Sequence, residues 1–357
     1  MTEHVHGGYS EAGLARLTVD LRALRENYRR IADVGERTAA VVKADAYGLG
    51  AVRVVEALAR EGCRDFFVAT EAEGIVVRSA SRDSNVFVLS GPVDAGSAAV
   101  MVRHGLTPVI NDETQLGRWA EHRETPVAVH VDTGMHRLGF DHGTFSVSMF
   151  DGFNVGLVLS HLACADDPDQ PLNKHQVDRF ETIRSLFPNA LGSLANSAGA
   201  LAGIGSDIVR TGIALYGGNP FSRRPNPMSP VATLEARVVA LRMVAKGQPI
   251  GYGSTYTTEQ ATRIAVLGAG YADGIPRGLS RDARVALRGH RLPVVGRVSM
   301  DLLHVDASGV DSVIALGDWV EIFGRTVGID ETAAWAGTIS YELLTRLGSR
   351  LRRCYTG

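Results

Sequence analysis

The chain has 357 residues, 45% of them hydrophobic, and a formal net charge of −2. That length exceeds one small core and predicts two domains, or one barrel with an appendage. A near-balanced charge without a long Lys/Arg run argues against nucleic acid and anionic membrane surfaces as partners. No apolar stretch reaches the roughly 18–20 residues of a membrane span.

The opening MTEHVHGGYS is polar and lacks an apolar h-region, so no secretory signal is expected. From about Leu14 to Gly218, short β-branched runs alternate with helical patterns. TAAVVKA reads as a strand, and AVRVVEALAREG as a helix with Val52, Val55, Leu58 and Ala59 as its apolar residues. DFFVAT and EAEGIVVRSA repeat the unit, as do NVFVLSG and GSAAVMVRHG. LTPVIN precedes DETQLGRWAEH, where Asp112 is a candidate N-cap. PVAVHVDTG and NVGLVLSHLA are two further buried-type strands. HQVDRFETIRSLF is an amphipathic helix, and LGSLANSAG opens the next unit. Seven or eight βα units predict a parallel (β/α)8 barrel of the TIM type over residues 1–228, with a doubly wound open sheet as the alternative.

The character changes at a Pro-rich stretch, Pro220 to Pro230, which predicts a linker. Beyond it, ARVVALRMV, RIAVLGAGYA, ARVALRG, LPVVGRVSMDLLHVD and DWVEIFG read as short strands, with a closing helix near Ser340 to Leu347. Residues 229–357 are therefore expected to form a mostly-β domain. Cys63, Cys164 and Cys354 are far apart and odd in number, with no metal-ligand spacing. No metal site is expected, and reduced thiols in a cytoplasmic protein are the plain reading.

The strongest chemical signal is AVVKADAYGLGA. Lys43 sits at the C-terminal end of a buried strand, where barrel enzymes place catalysis. Apolar neighbours disfavour its charged form, and a neutral amine can condense with an aldehyde cofactor. Gly48 and Gly50 let the backbone approach a ligand. A bare lysine at a strand end, however, ordinarily just reaches water. In VRTGIALYG, Gly212 and Ile213 lie on a tight loop near a strand end, where backbone N–H groups can hold a phosphate.

The string around Lys43 resembles the pyridoxal-phosphate lysine signature of the alanine racemase family. DTGMHRLG, SHLACAD, ANSAG, VRTGIALYG, GYGSTY, GYADGIPR, GRVSMD and TISYELLTRLG follow in the family's order across nearly the whole chain. The resemblance implies a barrel that binds pyridoxal 5'-phosphate, followed by a β-domain. It also implies a homodimer in which one subunit's barrel and the partner's β-domain share each active site. It assigns Tyr47, Ser197, Gly212, Ile213 and Tyr341 to the phosphate. It aims Arg210 at the pyridine nitrogen, where most enzymes of this cofactor use a carboxylate. An arginine, with a pKa above about 12, has no proton to spare. The electron sink is then weak, which favours returning the proton to Cα over transamination.

Racemisation needs proton-transfer groups on both faces of Cα. The resemblance implies Lys43 for one face and Tyr256 of the partner subunit for the other. A tyrosine has a pKa of about 10 and needs a positive neighbour to serve as base. His161 would link Tyr256 to Arg210 for this purpose; by itself it reads rather as a satisfied core histidine at a strand end. The substrate carboxylate falls to Arg137 and the backbone at Met300, with Asp301 in support. Tyr271, Arg277, Arg297 and Asp166 match residues of the family's access corridor. One position departs from the pattern. Many members carry a carbamylated lysine that supports the substrate-binding arginine, and here that position is His130. Either another anion takes over that role, or His130 simply forms hydrogen bonds.

The expected activity is the interconversion of L- and D-alanine, supplying D-alanine for peptidoglycan. Serine or another small amino acid is the alternative substrate. A decarboxylase on the same cofactor cradle, or a cofactor-binding protein without turnover, are the alternative classes.

Overall fold

The computed structural model describes residues 13–35, 37–279, 282–310 and 312–357. The polar opening MTEHVHGGYS lies outside the described residues. The chain divides into two units: Leu21–Ser229, and the residues through Asp20 together with Pro230–Gly357. This differs from the expected first domain of 1–228. Strand β1, Ala15–Asp20, pairs antiparallel with a strand beginning at Ala232 and parallel with the C-terminal strand, so it completes the β unit. Its partners lie more than two hundred residues away, and no local pattern reports them.

The Leu21–Ser229 unit begins with the helix Leu21–Ala32. Its strands are β2 Thr38–Val41, β3 Asp65–Val68, β4 Asn85–Val88, β5 Thr107–Ile110, β6 Val127–Asp132, β7 Phe140–Asp141, β8 Val155–Leu159, β9 Leu191–Ser193 and β10 Val209–Thr211. Eight of them run parallel in the order β10-β2-β3-β4-β5-β6-β8-β9, and the short β7 pairs with β6. A parallel bridge between Asn196 and Arg210 carries the order from the β9 end back to β10, so the sheet is a nearly closed barrel. Strands β2 and β3 are buried at every position, which is why they read as continuous apolar runs rather than alternating ones.

Several intervening helices start at a side-chain cap. Asp112 accepts from Gln115 N at 2.8 Å, and Asp94 from Ser97 N at 2.7 Å. Thr70 and Glu73 form a reciprocal capping box ahead of the helix Glu71–Ala80. In the helix Ala51–Arg60 the buried stripe is Ala51, Val54, Val55, Ala57 and Leu58, whereas Val52 is 41% exposed. Of the expected apolar residues, Val55 and Leu58 are thus buried, Ala59 is half-buried and Val52 faces outward.

The β unit continues with β11 Ala232–Val244, β12 Pro249–Ile250, β13 Tyr256–Thr257, β14 Thr262–Leu267, β15 Arg284–Leu287, β16 His290–Val295, β17 Leu303–Asp306, β18 Trp319–Phe323 and β19 Arg352–Thr356. The long β11 pairs with β1 and β18 along its first half and with β14 along its second, with a register shift between Val238 and Ala240. A bulge there bends the strand, and the ring β11-β14-β17-β16-β15-β18 closes on it. The run LPVVGRVSMDLLHVD becomes two strands, β16 and β17, separated by the loop that carries Met300 and Asp301. Two short helices follow, Ile329–Trp335 and Ser340–Thr345; the first was not legible in the sequence. Among the described residues no helix is long and apolar enough to cross a membrane, and no group of His, Cys, Asp or Glu is placed to hold a metal ion.

Candidate active site

Parallel strands bring their C-terminal ends to one side of the barrel. Lys43 follows β2, Arg137 follows β6, His161 follows β8, Ser197 follows β9, and Gly212 and Ile213 follow β10. His130 and Arg210 lie within β6 and β10. Asp166 lies exposed on the loop after β8, its carbonyl accepting from Ser222 N at 3.0 Å.

Lys43 opens a left-handed turn. Ala44, Asp45, Ala46 and Tyr47 have φ of 52°, 56°, 53° and 55° before Gly48 at 78°. Non-glycine residues in this region cost roughly 1–2 kcal/mol each, so four in succession store roughly 4–8 kcal/mol. The surroundings hold the turn in place. Gly48 N donates to Ala44 O, Asp45 accepts from Ala51 N at 2.7 Å, and Glu73 accepts from Ala44 N at 2.7 Å. The Lys43 amine has no hydrogen-bond partner among the described residues. Burial lowers its pKa, assisted by Arg137 and Arg210 and opposed by Glu73.

Tyr47 packs at a tilt of 30° against the fully buried Tyr216, with 4.6 Å between ring centroids, and Tyr216 donates to Val41 O at 2.8 Å. The Tyr47 hydroxyl reaches Gly212, where an added Cβ would stand 2.6 Å from Oη. Only glycine leaves room for this approach. Ser197 Oγ accepts from Gly212 N at 3.0 Å and lies 3.1 Å from Thr211 Oγ1. Tyr47, Ser197 and Gly212 therefore converge at the end of β10, beside the single turn Ile213–Tyr216.

Arg210 is 5% exposed. Its Nη1 donates to Ser193 O and Ser193 Oγ at 2.7 and 2.6 Å. Its Nη2 donates to Ser160 O at 2.5 Å and to His161 Nδ1 at 3.2 Å. Nε–H has no acceptor among the described residues. Burial, and then Arg137, pushes the guanidinium down to about 10, below the ordinary arginine range yet still protonated at neutral pH. Because a guanidinium can only donate, His161 Nδ1 must accept and the ring hydrogen sits on Nε2. Burial, with Arg210, Arg137, His130 and Lys43, holds His161 well below the usual imidazole value, so it is neutral.

His130 is 8% exposed, with Nδ1 2.8 Å from Asn111 Oδ1. Asn111 Nδ2 donates to Leu89 O, Val109 O and Gln115 Oε1, which fixes the amide orientation. Asn111 Oδ1 is thus an acceptor and His130 Nδ1 carries the hydrogen. Burial and the Arg210 charge push its pKa down to about 4. Arg137 is exposed and has no hydrogen bond or ion pair among the described residues. The nearby Asp132 carboxylate is turned to its own loop, accepting from Gly134 N and Met135 N at 2.8 Å each.

The β unit carries the other expected residues. Tyr256 pairs with Ile250 across a two-strand hairpin and packs on Ile250, Ile264 and Val295. Tyr256, Arg277 and Arg297 line one cleft of about 450 Å³. Tyr271 N donates to Ser299 O at 3.0 Å and Ala272 N to Met300 O at 2.9 Å, which ties the corridor segment to the Met300 loop. Gly270 permits this approach: an added Cβ would lie 2.3 Å from Ser299 O. Asp301 pairs with Arg350 at 2.8 Å, and Arg350 also forks onto Asp273. Tyr341 lies in the helix Ser340–Thr345, 39% exposed.

Glu73, Asn111, Ser160, Ser193 and Tyr216 escaped the sequence reading. Glu73 alone had a usable signal there, the Thr70-x-x-Glu73 spacing of a capping box.

Comparison with known proteins agrees with this geometry. Residues 19–220 match the family model "Alanine racemase, N-terminal domain", and residues 231–355 match "Alanine racemase, C-terminal domain". The chain is 44% identical over 365 residues to the biosynthetic alanine racemase of Agrobacterium fabrum, covering 95% of this chain and 93% of that one. It is 45% identical over 360 residues to the catabolic alanine racemase of Mesorhizobium japonicum, covering 96% and 93%. The biosynthetic alanine racemase structure from Pseudomonas aeruginosa superposes with a TM-score of 0.90 at 35% identity, covering 97% of this chain and 100% of that one. The Bartonella henselae alanine racemase, solved with covalently bound pyridoxal phosphate, gives 0.89 at 34% identity, covering 96% and 100%. Matched along nearly its whole length, the chain belongs to the alanine racemase family.

Proposed function

We propose that this chain interconverts L- and D-alanine with pyridoxal 5'-phosphate held at Lys43. The observation that carries the reading is the Arg210–His161 pair: a buried cation whose Nε–H lacks a protein acceptor, donating to a neutral histidine. An aromatic nitrogen with a free lone pair suits that Nε–H. The hydroxyls of Tyr47 and Ser197, gathered at Gly212 beyond the end of β10, suit a phosphate. These residues fit the cofactor, and the family resemblance adds Tyr341 to the phosphate donors.

When bound, pyridoxal phosphate supplies an aldehyde for the amino group and a conjugated ring that stabilises the electron pair left at Cα. Arg210 keeps its proton at neutral pH and gives none to the ring nitrogen, which limits transamination. Lys43, whose amine burial biases toward the neutral form, moves a proton at one face of Cα. Tyr256, supplied by the partner subunit of a homodimer, serves the opposite face. His161 directs its Nε2 hydrogen outward from Arg210, where it can stabilise a phenolate. Arg137, without a hydrogen-bond or ion-pair partner among the described residues, binds the substrate carboxylate, and the family resemblance adds the Met300 backbone and Asp301 to substrate binding. Tyr271, Arg277, Arg297 and Asp166 match residues of the family's access corridor. The reading extends to a cytoplasmic enzyme that supplies D-alanine for peptidoglycan.

Borohydride reduction followed by peptide mapping tests the central claim. The label is expected on Lys43, and L-alanine should lose optical rotation without releasing CO₂. A label elsewhere, or none, overturns the reading.

A further inference from the structure

Resting on the reading that Lys43 holds the cofactor, we propose that Glu73 is a positioning residue for Lys43: its carboxylate fastens the left-handed turn that presents the amine. In an ordinary capping box the third-position glutamate returns only to the backbone at the start of its own helix. Glu73 does this through Oε2, which accepts from Ala69 N at 2.7 Å and Thr70 N at 3.3 Å. Its Oε1 reaches a different segment and accepts from Ala44 N, the residue after Lys43, at 2.7 Å. One carboxylate thereby joins the end of β3 to the turn that leaves β2.

The Ala44 amide needs such a partner. Within the turn, Ala46 N donates to Val42 O and Gly48 N to Ala44 O. Ala44 N stands at the turn's beginning, where no carbonyl of the turn can accept from it, as at the start of any helix. Four successive left-handed residues make the turn costly, so external ties decide whether it persists. Asp45 fastens the far side through Ala51 N; Glu73 fastens the side next to Lys43. Glu73 also offsets the positive field of Arg137 and Arg210 at the amine, so it acts on both the placement and the charge of Lys43.

Three holoenzymes test this: the wild type, Glu73→Gln and Thr70→Ala. Glutamine keeps the shape but turns an NH₂ toward backbone donors. Thr70→Ala breaks the capping box on its threonine side and leaves the Ala44 contact in place. Hydrogen exchange at residues 44–48 and cofactor release to hydroxylamine are measured together with the thermal midpoint. Both rates are expected to rise about tenfold or more in Glu73→Gln, the scale of losing a charge-assisted hydrogen bond. Thr70→Ala should lower the midpoint but keep both rates at wild-type values. Wild-type rates in Glu73→Gln, or equal acceleration in both variants, overturn the proposal. Should Glu73→Gln fail to fold, Glu73→Asp, one methylene too short to bridge both segments, is expected to show the same signature. A wild-type protein that takes no borohydride label at Lys43 sinks the functional reading instead, and exchange at Ala44 still tests the turn.

Discussion

Replacing His130 by asparagine removes a buried group that must stay neutral. His130 donates through Nδ1 to Asn111 Oδ1, and burial with the Arg210 charge pushes its pKa from 6.5 to about 4. The folded state therefore resists a proton that the unfolded chain accepts. Between pH 6.5 and pH 4 the unfolded state binds more protons, so stability falls as pH falls through that window. For one such group, the loss between pH 7 and pH 5 is about 2 kcal/mol. Asparagine offers a donor near the Nδ1 position and does not titrate. Its smaller volume costs stability at every pH equally. Urea unfolding of both proteins, followed by circular dichroism from pH 8 to pH 5, isolates the term, because acid uptake by His161 is common to both. The wild type's advantage over His130→Asn should shrink by about 2 kcal/mol between pH 7 and pH 5. A difference independent of pH would refute the argument that His130 is held neutral.

Lys43→Ala should abolish the visible absorbance of bound cofactor and nearly all racemisation, read by absorbance and polarimetry. Tyr256→Phe should retain the colour but slow proton removal from L-alanine by roughly 10²–10⁴-fold, the usual range for one acid–base group, measured by solvent deuterium incorporation. Gly212→Ala sets a methyl group against the Tyr47 hydroxyl. Overpacking of this kind costs about 1–3 kcal/mol, so cofactor affinity should fall by about tenfold or more in equilibrium dialysis.

Much of the barrel was legible because its signals are local. Strands buried on both faces read as apolar runs, and Asp112 marked a helix start because capping joins residues three apart. Lys43 could be placed at a strand end for the same reason, and the ordered motifs carried the rest. Partnership across the chain was not legible. Residues 15–20 fell within the expected barrel domain, yet the hydrogen bonds of β1 go to β11 and β19. The two-residue strands β12 and β13 around Tyr256 are too short for any periodicity to report.

Residues 44–47, Ala-Asp-Ala-Tyr, would suit a right-handed helix by propensity, and the fold winds them left-handed, tied to Glu73 at Ala44 and to Ala51 through Asp45. Sequence alone thus determined most of the barrel's elements and which side chains are candidates for chemistry, since both were read from residues a few positions apart or from ordered motifs. Protonation at His130 and His161, the unpaired Nε–H of Arg210 and the backbone hand beside Lys43 depend on groups distant in sequence. Desolvation and hydrogen bonding act only once the strands stand side by side, so tertiary structure alone decided them.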